Sequence, residues 1–226
     1  LLKDYDDSLK NFQKEHNLTI FHLMGQHVNY KQRYRTKQAR FWASSYEDKR
    51  PELTNAQRKM LSHYDNATLY NDSIVAQIVK RFQKQDAIVI YVPDHGEECY
   101  EENRGFICRN HSAEIDWPLA HYEFEIPFWI YCSPKYIRNH RDIYRQIRKA
   151  KDKRFMTYAL PHLLLYLAGI ETPTYKEEYN ILSPKYDEMR PRILKNSADY
   201  DKLRDAHLEK IKKEESKKVK KKERRN

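Results

Sequence analysis

The chain has 226 residues, which is enough for one α/β domain or for most of a larger one. Hydrophobic residues make up 39% of it, so the chain can bury a core, which argues against global disorder. Its longest apolar stretch, near residues 160–170, is interrupted by Pro161 and His162 and is too short to span a bilayer. The chain starts without Met or a signal-like segment, so we expect an upstream catalytic half and membrane segments outside it.

The net charge of +10 belongs mainly to the C-terminal end. Residues 210–226 contain ten Lys or Arg and three Glu, a net of +7, and the remainder holds 33 basic and 30 acidic residues. Such a run is typical of a solvated low-complexity tail, or of a polybasic arm that binds anionic lipid or nucleic acid. The sequence therefore predicts a domain over residues 1–208 and a disordered Lys/Arg-rich tail over residues 209–226.

Apolar spacing predicts the first elements of the chain. Leu2, Tyr5, Leu9 and Phe12 recur at the period of an amphipathic helix. Residues 18–24 follow as a compact, largely apolar strand, and residues 26–52 have no clean period and are predicted to be a long loop.

A long helix and a buried strand come next. Thr54 and Gln57 have the spacing of a capping box, and the helix that they begin runs to about Phe82. Residues 87–92, AIVIYV, are rich in β-branched side chains and predict a central strand that is buried on both faces. Residues 94–117 are polar and are predicted to form a loop.

The last predicted elements are a strand over residues 126–131 and a helix over residues 155–168 that Gly169 closes. Helices and apolar strands thus alternate, which favours an α/β fold with a mostly parallel central sheet flanked by helices. In such sheets the functional residues lie beyond the carboxyl ends of the strands.

The segment that follows the most regular strand carries metal-binding chemistry. Asp94 and His95 offer a carboxylate and an imidazole, and zinc accepts both kinds of ligand. Gly96 is expected to let the backbone turn sharply near the ion. A neighbouring Asp and His on a surface are common, so it is the position at a strand end that favours a metal site.

Two further histidines lie near the ends of predicted strands. His27 follows the first strand, and His111 lies in the loop after the Asp-His pair. Imidazoles at this edge of a sheet can hold a phosphate or protonate a departing oxygen, whereas each alone is also typical of an exposed loop. The position of His121, just before a strand, leaves its role open.

Cys99 and Cys108 bracket a short polar segment, and Cys132 lies in an apolar strand pattern. The spacing of the three does not match a zinc finger. A disulfide between Cys99 and Cys108 and a pair of reduced thiols are both consistent with the sequence.

Four segments resemble bacterial phosphoethanolamine transferases, in the order that this family has them. They are FHLMGQHVNYKQRY at residues 21–34, HYDNATLYND at 63–72, VPDHGEECYEE at 92–102 and IPFWIYCS at 126–133. The resemblance covers about residues 10–185. It implies the C-terminal part of a sulfatase-like catalytic domain of the alkaline phosphatase superfamily, on the periplasmic side of a bacterial inner membrane.

The resemblance also implies an activity and a set of roles. Members of the family move phosphoethanolamine from phosphatidylethanolamine to lipid A or another glycan, through a zinc-assisted phospho-enzyme intermediate on a threonine. Asp94 and His95 match zinc ligands, whereas His27 and His111 match histidines on the substrate side. We expect a monomer that binds no nucleic acid.

The chain departs from the family pattern around these histidines. Gln26 and Val28 replace small residues beside His27, and Ser112 replaces a glycine after His111. The threonine nucleophile and a glutamate ligand of the family precede the segments matched here. A sulfatase or a phosphoglycerol transferase of the same fold is an alternative, and so is a non-catalytic module that binds an anionic surface.

Overall fold

The computed structural model describes residues 1–8, 16–105, 107–110 and 114–223, with side chains as far as residue 218. The chain forms two compact units. Unit 1 comprises residues 1–84 and 103–105, and unit 2 comprises residues 85–102 and 106–226. The single domain over residues 1–208 stays a prediction.

Helices and short strands are mixed along the chain, as an α/β protein requires. The helices are α1 (Leu2–Ser8), α2 (Asn55–Phe82), α3 (Trp117–Phe124), α4 (Pro134–Asn139), α5 (Arg141–Ala150), α6 (Leu160–Leu167) and α7 (Tyr200–Glu223). The strands are β1 (Ile88–Tyr91), β2 (Glu98–Cys99), β3 (Ile107–Cys108), β4 (Trp129–Cys132), β5 (Ile193–Leu194) and β6 (Ala198–Asp199). None of the described helices is long and apolar enough to cross a membrane.

Unit 1 is organised around α2, which begins and ends where the sequence predicts. The capping box is confirmed, because the Thr54 hydroxyl accepts a hydrogen bond from the Gln57 amide and the Gln57 side chain accepts one from the Thr54 amide. These bonds satisfy amides that the first turn of a helix leaves without partners. Residues 26–52 are largely irregular, as predicted, with short 3-10 turns.

Asn66 on α2 fixes this irregular segment. Its side-chain oxygen accepts hydrogen bonds from the amides of Arg40 (2.6 Å) and Phe41 (3.1 Å). Its side-chain nitrogen donates to the carbonyls of Phe41 (2.8 Å) and Ser62 (2.7 Å). Asn66 is buried, so one side chain satisfies loop backbone that would otherwise be shut off from water.

The structure differs from the prediction at residues 18–24. Residues 18–24 do not form a strand in any sheet among the described residues. The side chains of Leu18 and Ile20 in this segment are 76% and 81% exposed. A strand requires a neighbouring backbone with which it forms hydrogen bonds. Residues 18–24 have the apolar composition of a strand, but no described residue of unit 1 pairs with them.

Unit 2 contains the pair that corresponds to the predicted central sheet. β1 and β4 run antiparallel, with Val89 opposite Tyr131 and Ile90 opposite Ile130. The other pairs in the described residues, β2 with β3 and β5 with β6, are antiparallel as well. The predicted mostly parallel sheet is thus not observed in the part of the chain that the structure describes, and β1 is half-buried rather than buried on both faces.

Several helices of unit 2 were not predicted from the sequence. Asp116 caps α3 by accepting a hydrogen bond from the Leu119 amide, and Ser133 caps α4 in the same way through Tyr136. Both helices have Pro in the first turn, where the missing amide hydrogen has no intrahelical partner to lose. The predicted helix over residues 155–168 is shorter, since α6 starts only at Leu160.

The C-terminal region is helical where the sequence predicts disorder. α7 extends through the Lys-rich segment to Glu223. Asp201, in the first turn of α7, holds this helix to the rest of unit 2. Its carboxylate lies 2.6 Å from a guanidinium nitrogen of Arg192 and also contacts Arg154. The hydrogen bond from Arg192 outweighs burial and keeps the pKa of Asp201 below its ordinary value.

Candidate functional site

Asp94 and His95 lie at the carboxyl end of β1 with their side chains side by side. The Oδ2 atom of Asp94 is 3.6 Å from the Nε2 atom of His95. Asp94 is 89% exposed and His95 is 21% exposed, so the carboxylate faces solvent beside a largely covered imidazole. The pair therefore presents an oxygen and a nitrogen to the same region of solvent.

The protonation of His95 suits metal binding. Its Nδ1 atom lies 2.6 Å from the Gly96 carbonyl, and since a carbonyl can only accept, this nitrogen carries the hydrogen. In the neutral ring, Nε2, on the side of Asp94, then holds the lone pair. Metal-binding histidines in proteins characteristically donate their other ring nitrogen to a carbonyl or carboxylate in this way.

The separation of the two groups also fits one ion. Zinc lies about 2.0 Å from nitrogen and oxygen ligands, so two ligands of a tetrahedral ion are about 3.3 Å apart. The observed 3.6 Å is within a small rotation of that distance. No set of three His, Cys, Asp or Glu residues in the described ranges is arranged to hold a metal.

Gly96 fixes the backbone of this pair against α3. Its amide donates a 2.9 Å hydrogen bond to the carbonyl of Glu123, in the last turn of that helix. A β-carbon on Gly96 would lie 2.3 Å from the Tyr122 carbonyl oxygen. The sequence analysis expected glycine here for a sharp turn, but Gly96 is not among the residues with positive φ. The position requires glycine because another backbone passes so close.

Two buried carboxylates near this segment were missed by sequence reasoning. Glu98 and Glu123 are each 1% exposed. One Glu123 oxygen accepts a 2.6 Å hydrogen bond from the Asn110 amide, which ties the loop before α3 to the helix that supports Gly96. Burial of two acidic side chains has no simple sequence signal, because isolated Glu residues are usually exposed.

His27 lies in unit 1, at an exposed turn after Gly25, which has φ of +48°. Its amide donates to the Met24 carbonyl (3.1 Å), and the Arg33 guanidinium donates to the carbonyls of His27 (2.9 Å) and Val28 (3.0 Å). Arg33 thus fixes the backbone and leaves the imidazole facing solvent. His27 belongs to unit 1, and the Asp94-His95 pair belongs to unit 2.

His111 and His121 are the other two histidines whose roles the sequence analysis considered near the site. His111 lies outside the described residues, so its predicted role stays a prediction. His121 lies on α3, with Nδ1 2.9 Å from a carboxylate oxygen of Glu125. Burial opposes ionisation of Glu125, but hydrogen bonds from Tyr200 and His121 outweigh it and hold its pKa below the ordinary value. His121 is thus engaged with a carboxylate of its own helix end.

The cysteines are free thiols. Cys99 and Cys132 are buried, and Cys108 is half-buried. In the β2–β3 pair Cys99 lies opposite Ile107, and Cys108 lies opposite Glu98. Of the two possibilities that the sequence leaves open, the structure has the reduced thiols.

With this geometry in hand, comparison with known proteins gives a consistent result. A family model described as Sulfatase matches residues 1–170. The chain is 32% identical over 197 residues to the phosphoethanolamine transferase EptC of Escherichia coli (strain K12), covering 82% of this chain and 32% of that protein. It is 30% identical over 157 residues to the Kdo(2)-lipid A phosphoethanolamine 7''-transferase of the same strain, covering 68% and 26% respectively.

Solved structures agree with the sequence matches. The C-terminal periplasmic domain of EptC from Escherichia coli, in a complex with Zn, matches with a TM-score of 0.72 and 28% identity, over 89% of this chain and 56% of that one. The corresponding domain from Campylobacter jejuni has a TM-score of 0.62 at 22% identity, which supports the fold alone. The chain spans about a third of the length of the curated relatives that it matches.

Proposed function

This chain belongs to the sulfatase family, and we propose that the protein that carries it is a phosphoethanolamine transferase. The observation that carries the proposal is the Asp94-His95 pair, an oxygen and a nitrogen ligand 3.6 Å apart at a strand end. The relatives named as phosphoethanolamine transferases support the reaction, and the Zn complex of a similar domain supports the ion.

Asp94 and His95 would hold the zinc, with the remaining ligands supplied from outside this chain. When bound, the ion supplies positive charge that lowers the pKa of an attacking hydroxyl and offsets charge on the phosphoryl oxygens. Asp94 contributes an exposed carboxylate, and His95 contributes Nε2 in a tautomer that Gly96 fixes. The close contact between Gly96 and α3 holds both ligands in place before the ion arrives.

The hydroxyl nucleophile lies outside this chain in our proposal and forms a covalent phospho-enzyme intermediate. His27 and His111 hold the phosphoryl oxygens or give a proton to the departing alkoxide. The exposed ring of His27, on a backbone fixed by Arg33, is available for such contacts.

The donor in this proposal is phosphatidylethanolamine, and the acceptor is lipid A or another envelope glycan. The relative named for Kdo(2)-lipid A supports a lipid A acceptor. The similarity to a C-terminal periplasmic domain supports a location on the periplasmic side of a bacterial inner membrane. We further propose that the protein is a monomer.

The larger fold follows from the same reasoning. Leu18 and Ile20, exposed two residues apart, have the period of one face of a strand, and β1 is only half-buried. We propose that both segments are strands of a mostly parallel, alkaline-phosphatase-like sheet that is completed by the rest of the protein. Amide hydrogens of residues 18–24 and 88–91 should then exchange more slowly in the full-length protein than in the isolated chain.

The deciding experiment measures zinc content and transfer of phosphoethanolamine to lipid A by full-length protein with His95→Ala. Loss of a ligand should lower both by more than about a hundredfold, since even changes to residues that only orient a ligand lower affinity 10- to 100-fold. The matched control is His140→Ala, at the other end of β1, where the imidazole lies 3.3 Å from Asp86.

Full zinc occupancy and normal transfer of phosphoethanolamine in His95→Ala would show that His95 is not a zinc ligand. Release of inorganic sulfate from sulfate esters, without transfer of phosphoethanolamine, would identify a sulfatase instead. The same loss in both variants would mean that disturbing β1, rather than removing a ligand, abolishes activity.

A further inference from the structure

Three lysines of α7 lie on one face of the helix. Lys210, Lys213 and Lys217 are separated by three and four residues, which places them in one row along a helix. All of them are exposed. The helical backbone continues to Glu223. We call this set of positions the lysine stripe.

Acidic and apolar residues of the same segment lie opposite the stripe or along its borders. At 100° per residue, Ile211, Glu215 and position 219 fall on the opposite side, whereas Glu209 and Glu214 border the stripe. The Nζ atom of Lys213 is 3.6 Å from Glu209, but both side chains are more than 70% exposed. An exposed pair of this kind contributes little, so the positive charge of the stripe is not neutralised within the helix.

The stripe has a fixed orientation because the beginning of α7 is packed into unit 2. Tyr200 is buried with Ala120 and Leu194. His207 stacks on Trp117 with ring centroids 5.2 Å apart. The lysines therefore extend from a helix whose first two turns are anchored, and they present their charge in one direction relative to unit 2.

We propose that the lysine stripe binds the surface of a bilayer that contains anionic phospholipid. A row of compact ammonium groups on a helix that is polar all round suits contact with headgroup phosphates rather than insertion between acyl chains. The choice of lipid over nucleic acid rests on the proposed function, whose donor is a phospholipid. The stripe would hold unit 2 close to the surface in which that donor lies.

Co-sedimentation of the 226-residue chain with vesicles tests the proposal without any need for catalysis. Vesicles of phosphatidylethanolamine and phosphatidylglycerol should bind the chain, vesicles of phosphatidylcholine alone should not, and added salt should release it. A lysine near an anionic surface increases binding about fivefold, so replacing Lys210, Lys213 and Lys217 by Gln should weaken binding about a hundredfold.

A matched variant separates the stripe from net charge. Replacing Lys212, Lys218 and Lys222 by Gln removes the same charge from other faces of the helix and should weaken binding less than tenfold. Equal losses in the two variants would overturn the stripe, because net charge would then suffice. Absence of binding to anionic vesicles, or tighter binding to duplex DNA at the same salt, would overturn the lipid surface. None of these outcomes depends on whether the full-length protein transfers phosphoethanolamine.

Discussion

The two ends of strand β1 each carry an Asp-His pair, and we propose a metal site at only one of them. At the amino end, Asp86 lies 3.3 Å from the Nε2 atom of His140 and accepts a 2.6 Å hydrogen bond from Asn139. The His140 ring stacks on Tyr136 with centroids 4.3 Å apart. Its partners therefore hold this pair in a structural role.

At the carboxyl end, Asp94 is far more exposed than Asp86, and His95 directs its protonated nitrogen to its own loop. The same two residue types thus serve packing at one end of the strand and, in our proposal, offer ligands at the other. An Asp beside a His is weak evidence by itself. What distinguishes a site is an exposed carboxylate, a fixed tautomer and the carboxyl end of a strand.

The largest expected difference between the two ends is in zinc affinity. Asp94→Asn in the full-length protein should lower zinc affinity more than about a hundredfold and leave the free energy of unfolding of the zinc-free protein nearly unchanged. Asp86→Asn should do the reverse, lowering stability by about 1 kcal/mol through loss of its hydrogen bonds. Zinc titration and urea unfolding check both, and equal zinc affinities would remove the distinction between the pairs.

The carboxyl end should also be the more sensitive to added volume. Gly96→Ala places a β-carbon 2.3 Å from the Tyr122 carbonyl oxygen, so the loop must move. We expect a loss of about 2–3 kcal/mol in the free energy of unfolding. Gly169→Ala is the control, because nothing lies within 4 Å and only its φ of +65° opposes alanine, a strain of about 1 kcal/mol. Urea unfolding that shows the smaller loss at Gly96 would contradict the close approach.

The amino end should depend on Ser133, which is fully buried. Its hydroxyl donates to the Gln85 carbonyl (2.5 Å) and accepts from the amides of Tyr136 (3.0 Å) and Ala87 (3.4 Å). Ser133→Ala removes these three hydrogen bonds together with the N-cap of α4 and should lower stability by about 2 kcal/mol while zinc content stays normal. Ser216→Ala, on the exposed part of α7, is the control and should change stability by less than about 0.5 kcal/mol.

The sequence predicts well those features that depend on local chemistry. The capping box of Thr54 and Gln57 and the end of α2 at Phe82 are both observed, because a cap is formed by residues three apart. The strand over residues 87–92 is found at Ile88–Tyr91 for a similar reason, since β-branched residues favour extended backbone. The Asp94-His95 pair is adjacent in the sequence, so its proximity follows as well.

Features that depend on distant residues were missed or misassigned. Direction of pairing is decided by which strand lies beside β1, and no local pattern predicts that β4 runs antiparallel to it. Asn66 looks like an ordinary helix residue until the loop that it binds is known. The sequence analysis explained the glycine at position 96 by a sharp turn, and this reason was wrong. The lack of space for a β-carbon at Gly96 becomes visible only when α3 is packed against it.

The central claim is that Asp94 and His95 coordinate one zinc ion. Anomalous diffraction at the zinc edge from crystals of the full-length protein tests this claim most directly. We predict a single strong peak about 2.0–2.2 Å from both a carboxylate oxygen of Asp94 and the Nε2 atom of His95. A zinc peak that both side chains leave uncoordinated, with the ion held elsewhere in the protein, would contradict the account.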